Sequence, residues 1–178
     1  MEETKLRKEA HLFPAPSLSK KGVKRIMYNF IVKKYFRDCK TILDVGSNTG
    51  IFIDVAKEHN KECSGIDLEP KREGVVRMDY RDLSEKVDGV FAGQFIEHTD
   101  GFSFMKKMQE IVRKKLVLVV PKANKSFWDY PDHVKPFTIK AIERLFKEYG
   151  FRKISAVNPP TIPFLHWTSS FIIAGKKV

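Results

Sequence analysis

The sequence predicts an α/β fold with a largely parallel sheet, and three observations lead to that fold class. Short apolar runs alternate with helical stretches along most of the chain, which is the order of elements around a parallel sheet. The apolar runs are nearly continuous, as expected for strands covered on both faces. One of them, Thr41–Val45, leads through a turn of small residues directly into a helix.

The individual elements follow from periodicity and from start and stop residues. Apolar residues recur at helical spacing from Val23 to Phe36, after a first segment in which Pro14 and Pro16 exclude a helix. Further helices are predicted for 51–59, for 100–114 with Asp100 as its cap, and for 138–149 between Thr138 and Gly150. Strands are predicted at 41–45, 62–68, 75–79, 87–95, 116–120, 151–157 and 170–174. Residues 69–74 are too few for a crossover helix.

Length and composition favour one soluble domain. The chain has 178 residues and 42% hydrophobic residues, and no apolar run approaches the roughly 18 residues of a membrane span. The N-terminal stretch MEETKLRKEAHLF lacks the apolar core of a secretory signal. Two cysteines, Cys39 and Cys63, are too few for a disulfide framework. We therefore expect a cytoplasmic protein.

The net charge of +11 is unevenly distributed. Residues 1–40 carry 11 basic and 4 acidic side chains, and residues 105–125 carry 7 basic and 1 acidic, whereas residues 41–104 carry 7 basic and 13 acidic. Basic surfaces attract nucleic acids, anionic lipids or anionic metabolites, although a solvated lysine-rich surface has the same composition.

The most informative segment is the turn Gly46-Ser47-Asn48-Thr49-Gly50, which joins the first strand to a helix. Glycine supplies positive φ and lets a ligand approach the backbone, and asparagine tolerates the left-handed region better than most residues. Asp67 follows Gly46 by 21 residues at the end of the second strand, a spacing that suits hydrogen bonds to ribose hydroxyls. Asp79, at the end of the third strand, is positioned to accept an adenine amino group. The sequence therefore predicts a nucleoside-containing ligand at one edge of the sheet.

Two other nucleotide sites fit less well. A Walker phosphate loop requires Lys and Ser or Thr after its last glycine, but Gly50 is followed by Ile51 and Phe52. A dinucleotide loop places glycines where Asn48 and Ile51 stand.

In its motifs the chain resembles the class I S-adenosylmethionine-dependent methyltransferases, and most of all the small single-domain group that includes the quinone-biosynthesis methyltransferases. The resemblance covers roughly residues 22–178 and is carried by ILDVGSNTG, GIDLEP, VVRMDYRDL, VDGVFAGQFIEHTD, LVLVVPK and HVKPFT. It implies a Rossmann-like, doubly wound seven-stranded sheet, mostly parallel with an antiparallel last strand. It also implies S-adenosylmethionine as cofactor, residues 41–178 as the cofactor-binding core, and residues 1–40 as a basic segment that could act as a lid.

The same resemblance implies roles for individual residues around the cofactor. The loop of Gly46, Ser47, Asn48 and Gly50 would pass under the methionine part, with Asp44 nearby. Further residues would surround the nucleoside and the methionine end: Asp67 on the ribose, Leu68 on the adenine face, Asp79 on the adenine amino group, Tyr80 beside the ring and Gln94 near the methionine.

Candidate catalytic residues are two histidines. His98 follows the fourth strand at its carboxyl end, and His133 lies in the loop WDYPDHVKPF; either could be a general base for a hydroxyl acceptor or a structural histidine. We predict no metal, although Glu97, His98 and His133 together offer one carboxylate and two imidazoles, a set that suits a divalent ion.

The expected activity is methyl transfer to a small molecule, and a basic lid formed by residues 1–40 would favour an anionic one. Two alternatives stay open: an RNA methyltransferase that uses the basic segments 1–40 and 105–125, and a non-catalytic cofactor-binding protein. Late aromatic residues either line a planar acceptor pocket or pack against the sheet: Phe127, Trp128, Tyr130, Phe137, Phe164 and Trp167. The sequence does not indicate an oligomeric state.

Overall fold

The computed structural model describes residues 20–123, 133–158 and 169–178. Its helices are α1 (Lys20–Tyr35), α2 (Ile51–Glu58), α3 (Phe102–Ile111) and α4 (Ile139–Glu148). Its strands are β1 (Thr41–Val45), β2 (Glu62–Asp67), β3 (Val76–Arg77), β4 (Val87–Gly93), β5 (Val112–Pro121), β6 (Phe151–Val157) and β7 (Ser170–Lys177). Two single turns of 3₁₀ helix follow β3 and β4, at Tyr80–Asp82 and Ile96–His98.

The strands form one seven-stranded sheet in the order β3-β2-β1-β4-β5-β7-β6. All pairs are parallel except those of β7, which runs antiparallel to both β5 and β6. The predicted α/β class, the strand count and the single antiparallel last strand are confirmed. The strand order reverses between β1 and β4, so a crevice opens beside their carboxyl ends, where ligands of such sheets bind.

Two apolar layers cover the faces of the sheet. On one face, α1 and α2 bury Ile31, Phe36 and Phe52, and the Phe52 ring stacks on Phe91 of β4 at 3.9 Å between centroids. On the other face, α3 and α4 bury Phe104, Met108, Ile142, Phe146 and their neighbours. A fully buried side chain of this size contributes about 1.5–3 kcal/mol, so these layers hold the strand ends in fixed positions.

The predicted boundary between α3 and β5 was wrong by several residues. The helix ends at Ile111 and the strand begins at once with Val112, so residues 112–115 are extended and not helical. Ile111 and Val112 are both buried, which lets the chain pass from helix to sheet without a loop. Asp100 does cap the helix, accepting the Ser103 N–H at 2.7 Å, although the residue that adjoins the first turn is Gly101 with φ +77°.

The apolar residues that recur at helical spacing in α1 are only partly buried. Ile31, Val32 and Tyr35 face the core, whereas Ile26 and Phe30 are 59% and 43% exposed. Residues 1–19 lie outside the described residues, so a lid over the crevice stays a prediction. Among the described helices, none combines the length and the apolar character that crossing a membrane requires.

Candidate active site

The loop between β1 and α2 takes a conformation that its small residues permit. Gly46, Asn48 and Gly50 have φ of +75°, +46° and +68°, as the glycine–asparagine pattern predicted. The N–H groups of Gly46 and Ser47 both donate to the Ile66 carbonyl, at 3.0 and 3.1 Å. The loop is therefore bound to the end of β2, and its backbone lies along the crevice.

A neighbouring aromatic side chain also constrains the residue type at Gly46. A Cβ at this position would lie 2.5 Å from Cδ2 of Phe95, too close for any real contact. Phe95 in turn packs edge-on against Tyr80, with ring centroids 5.7 Å apart. The absence of a side chain at Gly46 thus permits an aromatic wall to approach the backbone of the loop.

Asp67 connects the loop to the carboxyl end of β2. Its Oδ2 accepts the Asn48 N–H and its Oδ1 accepts the Glu69 N–H, each at 2.8 Å. These two bonds fix the orientation of a carboxylate that also borders the cavity described next. An oriented carboxylate retains lone pairs for two further donors, which is what a ribose diol offers.

A cavity of about 300 Å³ lies at the carboxyl ends of β1, β2 and β4. Its walls contain six of the residues predicted from sequence: Gly46, Asp67, Leu68, Asp79, Tyr80 and His98. Its other wall residues were not predicted: Val45, Ile66, Met78, Arg81, Phe95, Thr99, Asp100 and Ser103. A mostly apolar wall with three aspartates suits a flat base, a diol and a nearby positive charge.

Asp79 is held by a residue that sequence reasoning missed. Its Oδ1 accepts the backbone N–H and the Nε–H of Arg81, both at 2.9 Å. The hydrogen bonds from Arg81 lower the pKa of Asp79, so this carboxylate is ionised at neutral pH. The available signal was an arginine two residues after the acid at the end of a strand.

The remaining unpredicted wall comes from the segment after β4. The Phe95 ring packs at a tilt against the ring of Phe104 in α3, with centroids 5.6 Å apart, and Tyr80 Oη is 2.8 Å from Ser103 Oγ. Asp100 has a lowered pKa because the Ser103 N–H binds its carboxylate. The motif QFIEHTDGFS contains these residues, but which of them face the crevice depends on the 3₁₀ turn.

Five of the predicted cofactor residues do not line the cavity. Ser47 is buried, with its hydroxyl donating to the Ile66 carbonyl, and the Gly50 carbonyl accepts a bond from Arg72 at 3.1 Å. Gln94 has φ +56° and donates from Nε2 to Ser170 Oγ at 3.0 Å. The other two are Asn48, through its bond to Asp67, and Asp44.

Asp44 is buried behind the loop, on the face of the sheet that α1 covers. Burial, and secondarily the charge of Asp67, raises the pKa of Asp44 well above its ordinary value. A positive group bound in the crevice would act in the opposite direction and lower the pKa of Asp44, because it would favour the ionised carboxylate.

The two predicted catalytic histidines come together. His98 lines the cavity, and the His98 and His133 ring centroids are 5.0 Å apart. The backbone N–H groups of Val134 and Lys135 donate to the Glu97 carbonyl at 2.9 and 3.3 Å, which brings His133 beside the 3₁₀ turn. Of the late aromatic residues, Phe137 is buried in the core and packs against Gly101; the other five lie outside the described residues.

Comparison with known proteins identifies the class that this fold and site define. A family model described as a methyltransferase domain matches residues 18–156. The chain belongs to this family; it is a class I S-adenosylmethionine-dependent methyltransferase. No curated protein is a significant match. The narrower resemblance to quinone-biosynthesis enzymes stays a prediction.

Solved structures share the fold at low sequence identity. A SAM-dependent methyltransferase from Archaeoglobus fulgidus superimposes with a TM-score of 0.72 at 19% identity, covering 86% of this chain and 94% of the other. Magnesium protoporphyrin IX methyltransferase from Synechocystis, with bound S-adenosylhomocysteine, gives 0.70 at 12% identity over 99% and 94%. The 1,6-didemethyltoxoflavin-N1-methyltransferase from Burkholderia thailandensis gives 0.70 at 14% over 89% and 80%.

The residues present fit the cofactor of the class, S-adenosylmethionine. The positive-φ loop leaves room along the backbone, Asp67 offers oriented acceptors, and Leu68 presents an apolar surface that is 61% exposed at the cavity. The three wall aspartates suit a ligand that carries a sulfonium and an ammonium group.

Proposed function

We propose that this protein transfers the methyl group of S-adenosylmethionine to a small acceptor that has an apolar body and a negative charge. The observation that carries the proposal is the cavity at the carboxyl ends of β1, β2 and β4, with His98 at its margin. Two of the solved structures that share this fold are enzymes named for small acceptors, magnesium protoporphyrin IX and 1,6-didemethyltoxoflavin, which supports an acceptor of that size.

Charge and apolarity beside the histidines support the acceptor chemistry. Phe102 and Val134 are 51% and 66% exposed, and both adjoin residues of the histidine region. Lys135 Nζ lies 5.9 Å from the Phe102 ring centroid. We call Phe102, Val134 and Lys135 the acceptor rim. An apolar acceptor would pack on the two exposed side chains, and its anionic group would pair with the ammonium.

The cofactor supplies an already activated methyl group, so the chain contributes mainly alignment and electrostatics. In the proposal, the loop of Gly46 to Gly50 and the carboxylate of Asp67 bind and orient the cofactor. Phe95 and Tyr80 exclude water from one side of the cavity. His98 is positioned to accept a proton if the acceptor atom is a hydroxyl, with His133 beside it.

Nucleic acid is less well supported as the acceptor. Several basic residues of the 105–125 segment lie at the amino end of β5, since Lys115 pairs in register with Gly89 near the start of β4. Lys114 forms an ion pair with Asp88, and Lys115 with Asp38. These lysines therefore lie at the amino ends of the strands, whereas the cavity lies at the carboxyl ends.

The test is a transfer assay with radiolabelled S-adenosylmethionine against a cell metabolite extract and, separately, against total RNA. We expect label in the small-molecule fraction, lost in an Asp67→Asn variant. Label that appears only in RNA, with a rate that falls steeply with salt, would contradict the proposal. Cofactor binding without transfer to either fraction would indicate a non-catalytic binding protein.

The acceptor rim has its own test once an acceptor is found. Lys135→Gln should raise KM for an anionic acceptor by about five- to tenfold, a loss of roughly 1–1.4 kcal/mol, with kcat nearly unchanged. Lys140→Gln on the exposed face of α4 is the matched control and should leave KM unaltered. If the wild type, Lys135→Gln and Lys140→Gln have equal KM values, Lys135 does not bind the acceptor.

A further inference from the structure

We propose that Glu97, His98 and His133 form a binding site for a divalent transition-metal ion at the margin of the cofactor cavity. Their candidate ligand atoms, one carboxylate oxygen and one nitrogen from each ring, all lie within 4.8 Å of one another. Ligands held at about 2.1 Å in tetrahedral geometry stand roughly 3.4 Å apart. Binding of an ion would therefore draw the ligand atoms closer together.

The ligand set defines the class of ion. Two imidazoles and one carboxylate are typical ligands of Zn²⁺ and of other first-row divalent ions, whereas Mg²⁺ and Ca²⁺ prefer oxygen alone. Three protein ligands leave at least one coordination position for a non-protein group. Because His98 also lines the cavity, that position would be available to a molecule bound there.

The backbone brings the three residues together by a specific arrangement. Glu97 and His98 are consecutive on the 3₁₀ turn, and the His98 N–H donates to the Phe95 carbonyl at 3.0 Å. The carbonyl of Glu97 accepts two consecutive amides, those of Val134 and Lys135. A residue 36 positions away from Glu97 is thereby placed beside it, and the two segments cannot separate without breaking these bonds.

Burial determines which side of the proposed site is accessible. Glu97 is 0% exposed. His133 is half-buried, so the ion would be shielded on the Glu97 side and accessible on the histidine side. This is the asymmetry of a metal that receives a ligand from solution.

The metal site rests on the proposed function only for its position beside the acceptor. There it would bind an oxygen of the acceptor and lower the pKa of its hydroxyl, whose proton would pass to water, favouring oxygen over nitrogen or carbon as the methylated atom. With the ion bound, His98 would act as a ligand and not as the base considered above.

The test is a titration of the EDTA-treated full chain with Co²⁺, followed by visible absorption, with Zn²⁺ added afterwards to displace the bound ion. We expect one Co²⁺ per chain. His98→Gln and His133→Gln should each weaken binding at least about tenfold. The matched control is His59→Gln, whose ring contacts Asn29 at 2.7 Å on the other side of the sheet, and it should bind as the wild type does.

Two further measurements keep the outcomes distinct. His11 and His166 are replaced together by Gln, and this variant should also titrate as the wild type. S-adenosylhomocysteine binding is measured by calorimetry on the metal-free protein, so failure of the cofactor site and failure of the metal site are seen separately. Absence of stoichiometric Co²⁺ binding, or binding unchanged in both His98→Gln and His133→Gln, would overturn the proposal.

Discussion

The two halves of the crevice are built in different ways. The half proposed to bind the cofactor (the cofactor half), around the carboxyl ends of β1 and β2, is held by backbone geometry: positive φ at Gly46 and Gly50, and amides bound to Asp67. The half proposed to bind the acceptor (the acceptor half), after β4, consists of side chains from a 3₁₀ turn and from the distant segment that begins at His133. The comparison teaches that the geometry of the first half is fixed by local sequence, whereas that of the second depends on contacts between remote segments.

The largest expected effect tests whether cofactor binding depends on the backbone conformation of the loop between β1 and α2. Gly46→Ala should reduce affinity for S-adenosylhomocysteine about 100-fold in calorimetry, because the new Cβ displaces Phe95 and strains a left-handed residue. Gly74→Ala is the matched control, since Gly74 has φ +84° but no atom within 4 Å of an added Cβ. That variant should lose about 1–2 kcal/mol of stability and retain its affinity. Equal affinity losses in the two variants would show that strain alone is responsible.

The next effect concerns the carboxylate that the loop orients. Asp67→Asn should weaken binding of the same ligand by roughly 10- to 100-fold, because hydrogen bonds to a charged acceptor contribute about 1.5–3 kcal/mol. Asp82→Asn, in the nearby 3₁₀ turn but outside the cavity wall, serves as the control for loss of one negative charge. If Asp67→Asn binds as tightly as Asp82→Asn, Asp67 does not contact the ribose.

A third prediction uses the buried acid of the cofactor half. The pKa of Asp44 is raised in the folded state by burial and by Asp67, so its contribution to stability is present at acidic pH and is lost as pH rises through the folded pKa. Asp44→Asn should therefore remove this decline, and be about 1–3 kcal/mol more stable than the wild type above that pKa. Urea unfolding of both proteins at pH 5 and pH 8 measures the difference. Parallel pH dependence would mean that Asp44 is ionised throughout.

The smallest effect lies at the boundary of the two halves. Arg81→Gln should weaken S-adenosylhomocysteine binding only about two- to fivefold, because the Arg81 side chain that pairs with Asp79 is 69% exposed and ion pairs with an exposed partner contribute roughly 0.2–1 kcal/mol. Arg77→Gln, on β3 and outside the cavity wall, is the control. A loss above tenfold for Arg81→Gln alone would indicate that the guanidinium itself contacts the ligand.

The same contrast explains what the sequence could predict. The fold class and the loop conformation follow from local patterns, and even the left-handed Asn48 was expected from its residue type. The seven-stranded sheet with an antiparallel last strand was implied by the resemblance, whereas the order of its strands was not predicted. Of the six predicted residues that line the cavity, Gly46, Asp67, Leu68 and Asp79 lie at or just after the carboxyl ends of strands, where local patterns place them. The other two, Tyr80 and His98, lie on the 3₁₀ turns.

Other features depend on contacts that no local pattern encodes. Phe95 and Arg81 enter the wall through 3₁₀ turns, and the distance between His98 and His133 is set by two amides on one carbonyl. Helical spacing likewise could not show that Ile26 and Phe30 point away from the core, because it gives a period and not the direction of the neighbouring layer.

The missing crossover helix between β2 and β3 has a consequence for the behaviour of the protein in solution. It leaves β3 at one edge of the sheet with only two residues, too short to recruit a strand from another molecule. The opposite edge, β6, carries the exposed charged side chains of Arg152 and Lys153, the second paired with Glu143, and charged residues on an edge strand disfavour its pairing with another strand. Both open ends of the sheet thus oppose edge-to-edge aggregation.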